Sequence, residues 1–453
     1  MKKTFSFKLS TTQTVMLSFF LAILLGSVLL SLPISSACGQ AVPYIDALFT
    51  ATTSVCVTGL VTLPTFSTWS TFGQVIILIL IQIGGLGIIT IMFGVLIGLH
   101  RRIGLGDRML IQDAFNLNTL SGLVTFIKRV LIGTFAVEGI GALLYMIVFV
   151  PEYGTQGIWI SVFNSVSAFC NAGIDILAED SLCTYVFNPI INATTCMLII
   201  MSGLGYIVWW DILLTIKNFK KQKWKCFHGL TLHSKITLST TGILILMGTF
   251  LFFIFEYHNP LTMADYSIPN KLQAAFFQSV TTRTAGFATI PQQNLTNASA
   301  IVSLLLMFIG GSPVGTAGGV KTVTMVVLVA SALATIRNQE DVVLFQRTIS
   351  KQAINKAVAV TCVSFMVMFT STLLLAAVTD ANALDIVYET LSATATVGLT
   401  RNLTSRLNLW GKIIIILTMY LGRVGPISLL LAFNTKKQNN NIIKNPIEEI
   451  SIG

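Results

Sequence analysis

Four glycines recur along the chain at nearly equal intervals, and each stands in a similar local context. They are Gly59, Gly173, Gly286 and Gly398, separated by 114, 113 and 112 residues. An aromatic residue lies ten positions before each glycine (Phe49, Phe163, Phe276 and Tyr388), and a bulky apolar residue follows it directly. Self-similarity at a fixed period indicates a repeated structural unit. The pattern therefore predicts that one polypeptide brings four equivalent glycines together around an axis.

The chemistry that such glycines suggest is the binding of a dehydrated cation by backbone carbonyl oxygens. Small or hydroxylated residues precede the glycines, as at 50–54 and 392–396. Glycine permits backbone angles that turn successive carbonyls inward, and rings of carbonyls replace the hydration shell of potassium in channel filters. Short helices ending there would add the partial negative charge of their C-termini. One such loop is weak evidence, whereas four in register indicate an ion pathway.

The composition places these loops in a membrane. Of the 453 residues, 54% are hydrophobic and only 10% are charged, whereas soluble domains carry about 25% charged residues. Apolar stretches long enough to span a bilayer predict eight transmembrane helices. They are expected at 13–33, 74–100, 130–150, 189–215, 236–256, 299–309 continuing into 320–336, 357–378 and 409–433.

Four shorter segments, each too short to span, separate the paired helices and are expected to be re-entrant. They lie at 43–54, 157–168, 269–281 and 383–394. The predicted fold class is therefore an all-α integral membrane protein with four tandem helix–pore loop–helix repeats around a pseudo-fourfold ion pore. The expected divisions are a cytoplasmic N-terminus at 1–12, repeats at 13–100, 101–216, 217–336 and 337–433, and a cytoplasmic tail at 434–453.

The net charge of +10 is attributed to membrane topology, and no nucleic-acid partner is expected. Lys and Arg concentrate near the N-terminus and at 101–129, 217–235, 337–356 and 436–444, whereas the alternate loops of the first half contain none. Because cytoplasmic loops carry an excess of Lys and Arg, both termini are expected in the cytoplasm. The exceptions expected on the outer side are Lys271, Arg283, Arg401 and Arg406.

A glycine-rich run interrupts the second span of the third repeat. Glycine costs about 1 kcal/mol and proline about 3 kcal/mol inside a helix, so residues 310–319 cannot continue one. A gate beneath the filter is the functional interpretation, and a hinge or a close contact between helices through small residues is the alternative. The gate residues would be Gly310, Gly311, Ser312, Pro313, Val314, Gly315, Thr316, Ala317, Gly318 and Gly319.

Arg423 lies in the middle of the last predicted span. A cation there costs about 2.5–3.5 kcal/mol, so it is expected to face the pore or a partner. Two interpretations stay open and are compatible: an electrostatic barrier in the pore that belongs to the gate, or an arginine that caps the carbonyls of a broken helix. Lys321 is expected to contact carbonyls or to anchor the inner side.

Other charged residues receive structural roles. Arg283 is expected to turn behind the filter toward carbonyls or a carboxylate, with Glu389 as one candidate. Glu138 is expected to bridge helices, and Asp46 and Asp385 to cap short helices. Close helix packing is expected at the glycines at 84, 85, 87, 203 and 205.

An enzyme is not expected. Ser312 could suggest a nucleophile, but none of the four histidines is placed to activate it. The seven cysteines show no metal-ligand spacing, and a disulfide between Cys38 and Cys183, both expected outside, stays open.

Five stretches resemble the Trk/Ktr/HKT potassium transporters, and within them most closely the membrane subunits of bacterial Ktr systems. They read TTSVCVTGL (52–60), SAFCNAGID (167–175), SVTTRTAGF (279–287), SATATVGL (392–399) and FIGGSPVGTAGGVKT (308–322). The resemblance implies potassium uptake across the bacterial cytoplasmic membrane. Because serine at the first filter glycine tends to accompany sodium selectivity in this family, Gly59 implies potassium selectivity.

The resemblance further implies a filter, partners and ligands. The filter would contain Val57, Thr58, Gly59, Asn171, Ala172, Gly173, Thr284, Ala285, Gly286, Thr396, Val397 and Gly398. No covalent cofactor is expected, only potassium ions in the filter. A homodimer in the lipid bilayer would rest on a cytoplasmic octameric ring of KtrA or KtrC type, which would bind ATP and ADP. The expected contact surfaces are 217–235, 337–356 and 436–453.

Two questions stay open at this stage: whether sodium influences transport, and whether a pore forms at all. The alternative is a secondary transporter of another solute with broken helices. The hallmark of such transporters would be inverted repeats with carboxylates at the helix breaks, whereas the repeats here are parallel and the breaks lack acidic residues.

Overall fold

The computed structural model describes residues 10–99, 104, 109, 122–178, 180–217 and 229–425. The predicted C-terminal tail, most of the predicted N-terminal segment and the basic stretch at 218–228 lie outside these residues. The described chain is mostly helical. The helices are α1 (Thr11–Leu30), α2 (Tyr44–Cys56), α3 (Thr65–Thr68), α4 (Thr71–Leu86), α5 (Ile88–Gly98), α6 (Leu123–Tyr153), α7 (Gln156–Cys170), α8 (Pro189–Leu204), α9 (Tyr206–Lys217), α10 (Leu232–Glu256), α11 (Ile268–Thr281), α12 (Asn297–Phe308), α13 (Thr322–Ile336), α14 (Lys351–Val378), α15 (Ala383–Ala395) and α16 (Leu409–Val424).

Two short strands form a hairpin between α13 and α14. Strand β1 (Val343–Leu344) pairs antiparallel with β2 (Arg347–Thr348). Phe345 and Gln346 form the two-residue turn, and both have positive φ angles, of 47° and 62°. Turns with two positive φ angles match the twist of a hairpin. This hairpin occupies part of the basic segment 337–356.

Apolar helices of membrane-spanning length account for much of the described chain. Four are long and apolar enough by themselves, namely α1, α6, α10 and α14. Two further spans are complete if the bent pairs α4 with α5 and α8 with α9 each count as one. The helices α12 and α13 are apolar but shorter. The prediction of uninterrupted helices at 74–100 and 189–215 is wrong, because these pairs bend by 97° and 95°.

Both bends occur at a glycine whose φ and ψ angles lie outside the helical region. Gly87 has φ 82° and ψ 136°, and Gly205 has φ 85° and ψ 148°. Glycine adopts such angles readily because it lacks a Cβ atom. Gly425 ends α16 with similar angles, φ 87° and ψ 140°. The hydropathy of these segments is continuous, and therefore did not reveal the breaks.

Short helices lie at all four predicted positions. The helices α2, α7, α11 and α15 agree with the predicted segments to within two residues at each end. Each packs against the long helix that precedes it. The last described helix, α16, also packs against α2, so the last and first parts of the described chain are in contact.

Four aromatic side chains precede Gly59, Gly173, Gly286 and Gly398, which are called the ring glycines below. Three of these aromatic side chains anchor their short helices, and the fourth does not. Phe49, Phe163 and Tyr388 are completely buried, as their common position predicts. Phe276 is 36% exposed, whereas the next residue, Phe277, is completely buried. Phe277 thus takes the buried position that Phe49, Phe163 and Tyr388 occupy in the other repeats, because α11 is displaced by one residue relative to Gly286.

Candidate functional site

Three of the short helices end in the same hydrogen-bonded motif. In α2, the Val57 amide donates to the Ser54 carbonyl three residues earlier, and the Thr58 amide donates to the Thr53 carbonyl five residues earlier. The same two bonds are present at the ends of α7 and α15. This is a Schellman motif, whose left-handed residue is usually glycine. Here it is Val57, Asn171 or Thr396, with φ angles of 54°, 59° and 51°. A left-handed non-glycine residue costs roughly 1–3 kcal/mol and persists where its surroundings enforce it.

The third short helix reaches the same position by a different route. The helix ends at Thr281, the Thr282 amide still donates to the Gln278 carbonyl, and the Ala285 amide donates to the Thr281 carbonyl four residues back. Thr284 nevertheless has a φ of 66°, like its three counterparts. Although α11 is displaced by one residue, the backbone at Thr284 therefore has the same conformation as in the other three segments.

The ring glycines adjoin one another in a closed ring that follows chain order. Each faces the carbonyl oxygen of the residue before the next glycine. The facing pairs are Gly59 with Ala172, Gly173 with Ala285, Gly286 with Val397 and Gly398 with Thr58. A methyl group placed on Gly59 would lie 2.5 Å from the Ala172 oxygen. The structure thus brings together all the residues predicted for the filter, and glycine is required by close approach as well as by its backbone angles.

Hydroxyl groups on the short helices hold the ring segments in place. The Gly59 amide donates to Thr53 Oγ1 at 2.9 Å, and the Gly398 amide donates to Ser392 Oγ at 3.0 Å. Ser167 instead accepts from the Ile174 amide at 3.1 Å, one residue beyond its glycine. Because these hydroxyls accept hydrogen bonds from the backbone amides of the extended segments, those amides are satisfied without a neighbouring β-strand. The hydroxylated stretches are visible in the sequence, but this role depends on the folded position of the following backbone.

Other hydroxyls at the ring are buried without a bond. Thr58, Thr284 and Thr396 have buried Oγ1 atoms with no hydrogen-bond partner among the described residues. Buried polar atoms are normally paired, so an unpaired one calls for an explanation. These oxygens are additional potential ligands for a cation.

A cavity of about 200 Å³ opens on one side of the ring, lined by all four ring glycines. Asp175 and Asp180 are among its lining residues. Burial raises the pKa of Asp175, which is opposed by a hydrogen bond from Ser181. The cavity therefore joins the ring to two carboxyl groups from one segment of the chain.

The glycine-rich loop lies beside the ring. A methyl group on Gly318 would meet the Thr396 hydroxyl and lie 2.6 Å from the Ala395 carbonyl oxygen. The Asn171 amide group donates to Thr316 Oγ1 at 3.2 Å. The loop therefore contacts the ring segments directly, and it also lines a second cavity of about 440 Å³.

Arg423 and Lys321 both hold carbonyls of this loop. Arg423 donates to the Thr316 oxygen at 2.8 Å and to the Gly84 oxygen at 2.5 Å. Lys321 donates to the Ala317 oxygen at 2.5 Å. Arg423 thus caps carbonyls next to the loop and the α4–α5 bend, and both cations line the second cavity. The expected contact of Lys321 with carbonyls is confirmed.

Arg283 does not pair with Glu389, and that part of the prediction is wrong. The buried guanidinium of Arg283 reaches the Thr241 hydroxyl at 3.4 Å and the Gly310 carbonyl at 3.5 Å. Glu389 accepts instead from the Thr400 hydroxyl at 2.6 Å and from Thr404. Because Arg283 turns toward the start of the glycine-rich loop, the alternative of carbonyl partners is confirmed.

Two acidic residues predicted as caps form ion pairs. Asp46 pairs with Lys412 at 2.5 Å, and Asp385 pairs with Arg401 at 2.7 Å. No side-chain capping bond is present at either helix start. A carboxylate in the first turn of a helix is still favourable, but the prediction did not include the Lys412 and Arg401 side chains that pair with these carboxylates.

Glu138 bridges two helices, and Gly85 in α4 allows close helix packing, as predicted. Glu138 accepts from the Gln82 amide group at 3.1 Å, which bridges α6 and α4. A methyl on Gly85 would lie 2.5 Å from Cys170 Sγ, so close packing holds there. The prediction fails at three of the five glycines: Gly203 has no atom within 4 Å of an added methyl group, and Gly87 and Gly205 break helices.

The remaining predictions concern cysteines and catalysis. Cys38 and Cys183 are both free, so the disulfide is not formed. The described residues contain no group of three or more His, Cys, Asp or Glu side chains that could hold a metal ion. The Ser312 hydroxyl lies 3.0 Å from that of Thr322, the first residue of α13.

Comparison with known proteins gives a consistent result. The model of the TrkH family, described as cation transport proteins, matches residues 5–444. The chain is 39% identical to Ktr system potassium uptake protein B of Bacillus subtilis (strain 168), covering 97% of this chain and 96% of that protein. It is also 39% identical to the potassium/sodium uptake protein NtpJ of Enterococcus hirae, covering 100% and 99%.

The fold is similar to a solved structure at lower sequence identity. The crystal structure of the potassium transporter TrkH from Vibrio parahaemolyticus matches with a TM-score of 0.73 at 16% identity. The match covers 95% of this chain and 86% of that one. The architecture described above therefore has an experimental counterpart.

Proposed function

Because this chain belongs to the TrkH family of cation transport proteins, an integral membrane family of non-enzymatic transporters, we propose that it takes up potassium as a Ktr-type membrane subunit. The proposal follows the relatives from Bacillus subtilis and Enterococcus hirae, which are named as potassium and potassium/sodium uptake proteins. The ring of four glycines and four facing carbonyls is the observation that carries it.

The proposed architecture is four repeats around one pore. Each repeat contributes a long helix, a re-entrant short helix and a second helix, which gives eight spans when bent or interrupted second helices count as one. Both termini lie in the cytoplasm, as the distribution of Lys and Arg favours. The cavity next to Asp175 then faces outward, and the cavity next to Arg423 faces inward.

The ring acts as the selectivity filter. A potassium ion loses water and is bound by carbonyl oxygens, which suit a hard cation without adding fixed charge. The unpaired hydroxyls of Thr284 and Thr396 would extend this oxygen cage. Because each repeat supplies only one glycine, the filter is shorter than in potassium channels, and its discrimination against sodium is weaker.

The glycine-rich loop and Arg423 act as the gate. The loop lies against Thr396 and Asn171 at the ring. Arg423 adds a positive charge in a confined cavity, where the electrostatic barrier to a cation is greater than in water. A closed loop thus blocks the path sterically, while Arg423 opposes cation passage.

Regulation is assigned to partners rather than to this chain. We place a homodimer in the bilayer on a cytoplasmic ring of nucleotide-binding subunits, with ATP and ADP bound by the ring. The hairpin at 343–348 lies within one of the proposed contact segments. Sodium is a proposed influence on transport, in line with the potassium/sodium name of one relative.

Growth of a bacterium that lacks its own potassium uptake tests the function. Expression of this chain with a Ktr-type ring is expected to restore growth at low potassium. A Gly59→Leu variant is the control, because a large side chain would collide with the Ala172 oxygen. Absence of rescue, with the protein present in the membrane, would contradict potassium uptake and favour a transporter of another solute.

A further inference from the structure

The glycine-rich loop is docked on the break in a neighbouring helix. The chain bends by 95° between α8 and α9, at Gly205. On one side of the bend, the Ser312 amide donates to the Gly203 carbonyl at 2.9 Å. On the other side, the Tyr206 amide donates to the Val314 carbonyl at 3.0 Å. The broken helix therefore supplies one acceptor and one donor to the loop.

The break is what makes these backbone groups available. In a continuous helix, the Tyr206 amide would donate to the Ser202 carbonyl four residues earlier. At the bend it has lost that partner, and a buried amide must find another. The Val314 carbonyl takes the place of Ser202. The bend in α8–α9 and the unwound loop thus satisfy each other.

The two backbones are also in direct contact at this point. A methyl group on Gly205 would lie 2.5 Å from the Pro313 carbonyl oxygen, and one on Gly315 would lie 2.6 Å from the Ser202 oxygen. The equivalent break at Gly87 differs. A methyl group there would meet only the Thr90 hydroxyl, at 3.9 Å. The same backbone bend therefore receives the loop in one case and not in the other.

Asn171 connects this docking site to the ring. Its side chain donates to Thr316 Oγ1 at 3.2 Å and accepts from Ser202 Oγ at 3.1 Å. Thr316 in turn donates to the Phe169 carbonyl at 3.2 Å. The residues at the equivalent position of the other ring segments are Val57, Thr284 and Thr396, which have no such amide. Asn171 thus joins the ring, α8 and the loop.

We propose that the helix break at Gly205 is the docking site of the gating loop, and that displacement of α9 about this break releases the loop. Asn171 is the positioning residue that holds the docked loop against the ring. The inference rests on the proposed function, because it assigns the regulation of the same gate. Helix α9 begins at Tyr206, so a displacement of this helix acts directly on the bond between the Tyr206 amide and the Val314 carbonyl.

The matched variants Gly205→Ala and Gly87→Ala test the docking site. Both place a side chain at nearly the same positive φ, 85° and 82°, so the backbone strain is alike. Only Gly205→Ala pushes a methyl group into the loop. In proteoliposomes containing the purified full chain, initial rubidium uptake by Gly205→Ala is expected to exceed that by Gly87→Ala about fivefold, the shift produced by losing one net hydrogen bond.

Equal uptake by the two variants would overturn the docking site. Deletion of residues 312–318 separates this result from a failure of the gate. If the deletion raises uptake while the two glycine variants behave alike, the gate stands and the docking site is wrong. If the deletion does not raise uptake, the proposed gate is wrong and the docking proposal fails with it.

A second pair of variants guards against misfolding at Gly205. Thr316→Val removes the hydroxyl that accepts from Asn171 and donates to the Phe169 carbonyl, and it is expected to raise uptake about threefold, because a hydrogen bond contributes about 1 kcal/mol or less in such settings. Thr249→Val is the control, since the Thr249 hydroxyl bonds to the Ile245 carbonyl of its own helix. Identical uptake by these two variants would overturn the positioning role of Asn171.

Discussion

Lys412 and Asp46 form an ion pair that joins the last helix of the described chain to the first short helix. The ammonium nitrogen lies 2.5 Å from the carboxylate oxygen, although the residues are 366 positions apart. The side chains are 17% and 8% exposed. Lys412 lies in the first turn of α16, and Asp46 lies in the first turn of α2. The pair therefore closes the circle of helices that surrounds the glycine ring.

Removing one member of this pair should destabilise the protein. Lys412→Met leaves a largely buried carboxylate without its cation, for which a loss of about 3 kcal/mol is expected. The loss is measured as a lower melting temperature of the purified protein in detergent. The exposed Lys356 supplies the control variant, Lys356→Met, which should melt like the wild type. Recovery in the double variant Asp46→Asn with Lys412→Met would show that the unpaired charge causes the loss, and an unchanged melting temperature for Lys412→Met would contradict it.

Substitution at the first ring glycine should weaken the preference for potassium. Gly59→Ser introduces a Cβ atom that meets the Ala172 oxygen at 2.5 Å, so the carbonyl must move away from the ion. The relative uptake of potassium and sodium in proteoliposomes checks this, with an expected fall in the ratio of about tenfold, equivalent to 1.4 kcal/mol. An unchanged ratio would show that residue 59 does not line the pathway.

The four-glycine pattern could be recognised from sequence because the same local solution appears four times. About a dozen apolar or hydroxylated residues before each glycine predict a short helix, and the predicted positions of all four short helices are confirmed. The carbonyl facing each glycine could not be inferred, because it comes from a neighbouring segment more than a hundred residues away. Repetition thus revealed the elements, but their mutual contacts are tertiary.

Arg423 variants separate the barrier from the cap. Arg423→Gln removes the charge as well as the bonds to Thr316 and Gly84, and uptake is expected to rise about tenfold, equivalent to 1.4 kcal/mol. Arg423→Lys keeps the charge but not the two-armed geometry of the guanidinium. If the charge forms the barrier, Arg423→Lys stays close to the wild type in rubidium uptake. Uptake by Arg423→Lys that equals Arg423→Gln would assign the effect to the lost carbonyl bonds instead.

External pH should act through Asp175 in the outer cavity. Burial raises its pKa, and a carboxyl group is negative only above its pKa, so it loses its attraction for cations at a higher pH than an ordinary aspartate. Uptake at subsaturating potassium is therefore expected to fall as the external pH is lowered from about 8 toward about 4, through the usual range of carboxyl groups and above it.

The Asp175→Asn variant should lose this acid-dependent fall, and its uptake should be low throughout. Asp180→Asn is the matched control, because Asp180 lines the same cavity but is exposed, and it should retain the fall. A wild-type pH profile in Asp175→Asn would remove Asp175 from the pathway.

The helix breaks and ion pairs could not be predicted from the sequence, because each depends on a tertiary contact. Gly87 and Gly205 lie in uninterrupted apolar stretches, and a single glycine costs a helix only about 1 kcal/mol, which tertiary contacts can outweigh. The loop that receives the Tyr206 amide comes from another part of the chain, so nothing local to Gly205 reveals it. Lys412 was overlooked for the same reason, since its partner is distant in sequence.

The position of a bound ion tests the carbonyl filter directly. Anomalous scattering from crystals of the protein grown in rubidium locates the permeant ion without reference to transport rates. We expect a rubidium peak on the axis of the ring, coordinated by the carbonyl oxygens of Thr58, Ala172, Ala285 and Val397. Peaks confined to the outer cavity, in protein that transports rubidium, would contradict a carbonyl filter at the four glycines.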